Sequence, residues 1–261
     1  MSMKPIQSMA FTAVAAILMM SCEKKVVTQL DTDSNFGKAN LKIVYASAYN
    51  INYGVQLSVN NVRVSSVVTN TTPFPGGGLN TGGSNMPWYL AVPPGATRIS
   101  LSVPKSGTNI DSIPLYNGTV SLNFAKFYSA YLTDTLTKTQ LVLITEDVSA
   151  PAPNTSRFKF VNLMPNVPSL DLYFGANKVA SDIQYTSTSP SFILNRADTS
   201  RWYVRPAGAA PTSVPIAIYP AITPTFASPQ TIPNQRLFTV FARGYNGSTG
   251  NRAPNVSLLY N

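Results

Sequence analysis

Between Leu41 and Val64 the apolar residues come first as a block and then at every second position. "LKIVYASAYNINYGVQLSVNNVRV" predicts a short apolar strand, a turn, and a strand with Val55, Leu57 and Val59 on one face and Gln56 and Ser58 on the other. The pattern returns from Phe158 to Val179 as "FKFVNLMPNVPSLDLYFGANKV", where Leu170, Leu172 and Phe174 alternate with Asp171 and Tyr173. Three further matches follow in the same order. "PWYLAVPPG" (87–95) matches "RWYVRPAG" (201–208), "FYSAYLT" (127–133) matches "LFTVFAR" (237–243), and "LVLI" (141–144) matches "VSLL" (256–259). An internal repeat of roughly 105 to 110 residues is therefore expected, each copy with about seven short strands between turn residues. The fold class is all-β: two tandem β-sandwiches of immunoglobulin-like or transthyretin-like type, residues 39–147 and 157–261. The Pro- and Ser-rich stretch 148–156 joins them as a linker between independent beads.

Ahead of the repeat lies a different pattern. Lys4 is followed by a 12-residue apolar run, Met9 to Met20, and then by Ser21 and Cys22. A membrane-crossing helix needs about 20 apolar residues, so residues 1–21 read as a cleavable export signal. Met19 to Cys22 resembles the lipobox of bacterial lipoproteins, with the looseness seen in the Bacteroidetes. That resemblance implies that Cys22 is acylated and begins the mature chain. Cys22 is also the sole cysteine, so acylation leaves neither a free thiol nor a disulfide. Residues 22–38 read as a polar tether. Asp31, Asp33 and Asn35 alternate as in a calcium loop, but Gly37 comes one position late and Lys42 stands where a closing Glu belongs, so no metal is assigned.

Charge and composition narrow the function. Charged residues make up 11% of the chain and the net charge is +9; removal of Lys4 with the signal leaves +8. The second copy is the more basic, with 9 basic and 3 acidic residues from Arg157 to Asn261. A basic surface attracts anionic polysaccharide or lipid headgroups; a solvated surface without a dedicated partner is the alternative, and no nucleic-acid role is assigned. Histidine is absent, which removes the usual general base and the commonest zinc ligand. The acids are scattered singly, as at Asp111, Asp134, Asp171, Asp182 and Asp198, and Glu146 and Asp147, adjacent in an extended chain, point apart. No catalytic residue, no metal and no cofactor is assigned.

The candidate ligand contacts are Trp88, Tyr89, Trp202 and Tyr203. A tryptophan repeated in a sandwich is expected to pack in the core; the other reading makes these rings platforms for sugar faces. The Gly-rich segment "NTTPFPGGGLNTGGSNMP" (70–87) lacks the Lys-Ser/Thr ending of a phosphate loop and reads as a long connection. "NVSLLYN" (255–261) reads as an edge strand open to strand addition. The strand-turn-alternation unit, clearest in "SLDLYFGANKV", resembles domain-of-unknown-function family 4397, found in bacterial secreted proteins and lipoproteins. Asp171 fits its pattern and Gln56 departs from it. The resemblance implies a β-sandwich and a cell-envelope location and brings no catalytic residues. Two functions follow as expectations: a non-enzymatic outer-membrane lipoprotein displaying its sandwiches for adhesion to glycan or an envelope protein, or a structural stalk, spacer or pilus-like subunit.

Overall fold

The computed structural model describes residues 37–105, 108, 110–221 and 228–261; the stretches read above as export signal and tether lie outside the described residues as far as residue 36, Cys22 among them. The described chain is all β apart from two single-turn 3₁₀ segments, Leu136–Lys138 and Gly250–Arg252. Each half forms a sandwich of an outer and an inner sheet. In the first half the inner sheet runs Gln140–Glu146, Phe127–Thr133, Ala39–Tyr45, with Leu90–Val92 and Pro73–Phe74 sharing the last strand's other edge. The outer sheet runs Val62–Arg63, Gln56–Val59, Gly95–Pro104, Asp111–Leu122. Asn60 and Asn61, both at positive φ, make the tight turn of its first hairpin. In the second half the inner sheet runs Phe192–Asn195, Thr155–Leu163, Leu237–Arg243, Asn255–Tyr260, and the outer sheet Asn177–Gln184, Ser169–Phe174, Trp202–Pro206, Ala217–Tyr219.

The repeat is real in topology. In both halves the first strand pairs in parallel with the next-to-last, which turns back as an antiparallel hairpin into the last. The alternating strands bury the faces expected of them. Val55, Leu57 and Val59 enter the first core, and Leu170, Leu172 and Phe174 the second.

The independence of the halves is not real. All seven residues of Ala39–Tyr45 are buried: Leu41, Ile43 and Tyr45 face their own core, while Val44 faces the other half. Val44, Ala46, Tyr131, Ile144, Val161, Leu163, Phe241 and Leu259 form a third core between the two inner sheets. The described residues thus belong to one compact unit of four stacked sheets, not to beads on a linker. Strands covered on both faces lose the alternation of a half-exposed strand, which is why the repeat opens on an apolar block.

A second joint closes the edge expected to be open. Gly78–Leu79, from the Gly-rich segment of the first half, pairs antiparallel with Leu259 and Leu258 of the carboxy-terminal strand. Asn80 holds the crossing strand in place, its amide donating to the Val256 carbonyl at 2.7 Å while its own carbonyl accepts from Ser257 Oγ at 2.7 Å. The glycine run is a packing requirement. A Cβ on Gly76, Gly77 or Gly78 would collide with the carbonyl oxygens of Met86, Ser84 or Leu258.

Candidate functional site

The structure separates the two tryptophans that the sequence pairs. Trp202 lies in the outer sheet of the second half, opposite Phe174, and is fully buried. Its counterpart by strand pairing is Ile99, opposite Val59. Trp88 precedes Leu90–Val92, a strand of the inner sheet, and is 49% exposed. The packing expectation therefore holds for Trp202 and fails for Trp88, because the matched strings lie on strands of different sheets. Their tyrosine neighbours diverge too. Tyr89 sits at the joint between halves, with the Lys42 ammonium 4.2 Å from its ring centroid and Phe127 edge-on at 5.1 Å. Tyr203 lies on an outer face, with the Arg205 guanidinium 5.0 Å from its ring.

Asp171 has a structural task. Its carboxylate accepts from Lys178 Nζ at 2.6 Å, from the Asp182 amide at 2.8 Å and from the Gly208 amide at 3.1 Å. Burial works against ionisation here, yet these donors hold the carboxyl below the usual range. Next to it, Arg205 Nε donates to the Ser213 carbonyl at 3.1 Å and Tyr173 OH to the Ala209 carbonyl at 3.1 Å. The three side chains strap residues 207–213 across the outer sheet. In the first half Gln56 and Ser102 occupy the equivalent pair of positions.

The joint between halves carries the most perturbed charges. Glu146 is buried and ion-paired with Lys159 at 3.1 Å. Lys42 donates to the Tyr260 carbonyl and is completely buried; desolvation lowers its pKa to about 7, against the pull of Glu146. Burial likewise pushes the phenols of Tyr89 and Tyr131 well up. These groups are shut between sheets and serve packing. A shallow cleft at the rim of the joint is lined by Glu146, Asp147, Arg157, Lys159 and Asn261 among others, and its two acids are paired with Lys159 and Arg157. Among the described residues, no three Asp, Glu, His or Cys side chains group to hold a metal.

A surface that sequence reading missed lies at the end away from chain entry. Ala39–Tyr45 and its parallel neighbour Phe127–Thr133 both run from the entry point, and the loops that follow them emerge together about 20 Å on. Tyr49 ties the two loops: its hydroxyl accepts from the Leu136 amide at 3.1 Å, and its ring packs edge-on to Tyr53 at 5.3 Å. On this tip Ile51 is 64% exposed and Leu136 is 72% exposed. Leu136 also holds a left-handed backbone, φ 57°, which disfavours a γ-branched residue by roughly 1–2 kcal/mol. The second half braces the same loops. Tyr245 OH donates to Asp134 at 2.7 Å, and Arg252 reaches Asn50 at 3.3 Å. An apolar pair on braced polar loops, one member in a strained conformation, has the marks of a contact surface. No run or motif announces it in the sequence.

Comparison with known proteins adds one similarity. Residues 54–173 match the model of the family described as "Domain of unknown function (DUF4397)", so this stretch is DUF4397-like. The match begins in the first half and ends in the alternating strand of the second, straddling both copies. No curated protein matches the chain. Among solved structures, a candidate cell adhesion protein from Bacteroides uniformis is similar at 5% identity and a TM-score of 0.22, over 86% of this chain and 97% of that one.

Proposed function

We propose that this chain is a non-enzymatic cell-envelope lipoprotein, held at the outer membrane by acylated Cys22, that uses the tip around Ile51 and Leu136 for adhesion to another envelope protein. The observation that carries the reading is the position of that tip. The end at which residues 37–39 lead into the first strand and the exposed apolar loops lie at opposite ends of one braced body, an arrangement that suits an anchored display module. An apolar tip favours a protein partner. Trp88, exposed on the flank, is the place for a glycan contact.

The anchor and the contact are separately testable. Labelled palmitate should enter the wild-type protein and not the Cys22→Ser variant; equal labelling removes the lipoprotein reading. Replacing Ile51 and Leu136 together with Asp should leave melting within about 1 kcal/mol of wild type, because both side chains are exposed. The same change should abolish capture of isolated cell envelopes by the immobilised mature protein. Retained capture that Trp88→Ala abolishes would move the activity to glycan binding.

A second reading has its own observation. The inter-sheet core and the crossing strand make the two halves one stiff rod, as a stalk or spacer needs. Retained envelope localisation with no capture by any variant would favour it.

A further inference from the structure

Chain entry brings together one end of every inner strand pair. The Lys38 carbonyl accepts from the Ala125 amide at 2.9 Å, and the Asn40 amide donates to the Lys126 carbonyl at 2.8 Å. The tether therefore emerges against the turn Asn123–Lys126. Phe127 pairs with Glu146, and the segment beyond reaches the second half through Asp147–Arg157 and Glu146–Lys159, both at 3.1 Å. There the Arg157 amide bonds the Arg236 carbonyl at 3.0 Å, and the Arg196 amide bonds the Asn154 carbonyl at 2.7 Å.

The charge gathered at this end is one-sided. Lys38, Lys126, Arg157, Lys159, Arg196 and Arg236 stand against Glu146, Asp147 and Asp198. Glu146 and Asp147 are taken up by Lys159 and Arg157, and Asp198 accepts from the Asn195 amide at 3.1 Å. Lys126, Arg196 and Arg236 remain exposed, and Phe124, 53% exposed, lies in the entry turn beside Lys126.

We infer that this end is a docking surface for the anionic headgroups of the bilayer that holds the anchor. The inference rests on the lipid-anchor reading above. From it follows the occupant: a chain acylated at Cys22 has only residues 23–36 between the lipid and Gly37, so the surface nearest the membrane is this one. Basic side chains meet phosphate there by charge complementarity, and an aromatic ring suits the boundary between headgroup and acyl chain. Each Lys or Arg brought to an anionic surface strengthens attachment by about fivefold, so three exposed basic residues turn a swinging tether into an oriented one. The adhesion tip is then presented outward.

The test uses the mature lipoprotein reconstituted in phosphatidylcholine vesicles with and without phosphatidylglycerol, with amine-reactive labelling read peptide by peptide. Lys126 should be labelled several-fold less in the anionic vesicles, while Lys105 and Lys138, exposed at the tip end, should label equally in both. Lys38 should be protected in the same way, and triple replacement Lys126→Glu, Arg196→Glu, Arg236→Glu, or high salt, should abolish that protection in anionic vesicles. Equal labelling of Lys126 in both vesicles overturns the inference and leaves the anchor intact. A protein retained by anionic vesicles alone would refute the anchor and still support this surface; one retained by neither overturns both.

Discussion

Trp202→Ala should destabilise the whole described body by about 3 to 5 kcal/mol, as one cooperative transition at a lower midpoint. The indole is fully buried and sits among the rings of Phe174, Phe158 and Phe192 at centroid distances of 4.8, 5.2 and 6.4 Å. Its Nε1 donates to Gln230 Oε1 at 2.8 Å, so truncation leaves both a cavity and an acceptor without its donor. The loss should not stay in the second half. That half shares the inter-sheet core and receives Gly78–Leu79 from the first, so unfolding it strips the first half's inner sheet of its cover. Trp88→Ala should shift stability by no more than about 0.5 kcal/mol. Calorimetry of the two variants decides the matter: a second-half transition that moves down alone, with the first half unmoved, would restore independent domains. Acrylamide should quench the wild-type emission in two classes, and Trp202→Phe should remove the protected one.

The stability of the protein should rise between pH 7 and about pH 10 by about 4 kcal/mol, and Lys42→Met should flatten that rise. The sign follows from the two states. Lys42 releases its proton near pH 7 in the folded protein, where burial disfavours the ammonium, but only near pH 10.4 when unfolded. Between those values the unfolded chain holds the extra proton, so folding becomes easier as pH increases. Beside Lys42, Tyr89 is a phenol whose ionisation burial postpones. Above about pH 10 the trend should reverse, since the unfolded chain ionises its tyrosines while Tyr45, Tyr89 and Tyr131 remain protonated in the fold. Urea denaturation at four pH values checks both limbs. A wild-type profile that is level from pH 7 to 10 would mean that Lys42 keeps its charge inside the joint.

Much of the architecture was legible in the chain because it depends on short-range periodicity. The alternation of Val55, Leu57 and Val59, and of Leu170, Leu172 and Phe174, assigned inward faces correctly, since a strand with one covered face must place apolar residues at every second position. Three of the four matched stretches fell on equivalent strands for the same reason. Asp171 was visible as an acid on the outward face, but its partners at Lys178, Asp182 and Gly208 were not, because they come from two segments, the neighbouring strand Asn177–Gln184 and the turn at Gly208, that only pairing brings to it.

The tryptophan match shows where such reading stops. "PWYLAV" and "RWYVRP" look alike as strings, yet Leu90–Val92 pairs with Ala39–Leu41 and Trp202–Pro206 with Leu170–Phe174. Which sheet a strand joins is set by distant partners, and local sequence carries no record of them. Lys42 poses the same problem: it lies between Leu41 and Ile43 in the opening strand, and only the second half, packed over its face, makes it buried. The sequence alone therefore determined the all-β class, the repeat and the inward faces, because these follow from period-2 patterning and turn chemistry within a few residues. The four-sheet stack, the crossing strand at Gly78–Leu79, the depressed Lys42 and the tip at Ile51 and Leu136 were decided by tertiary structure, because each depends on which surfaces meet across more than 80 residues of chain.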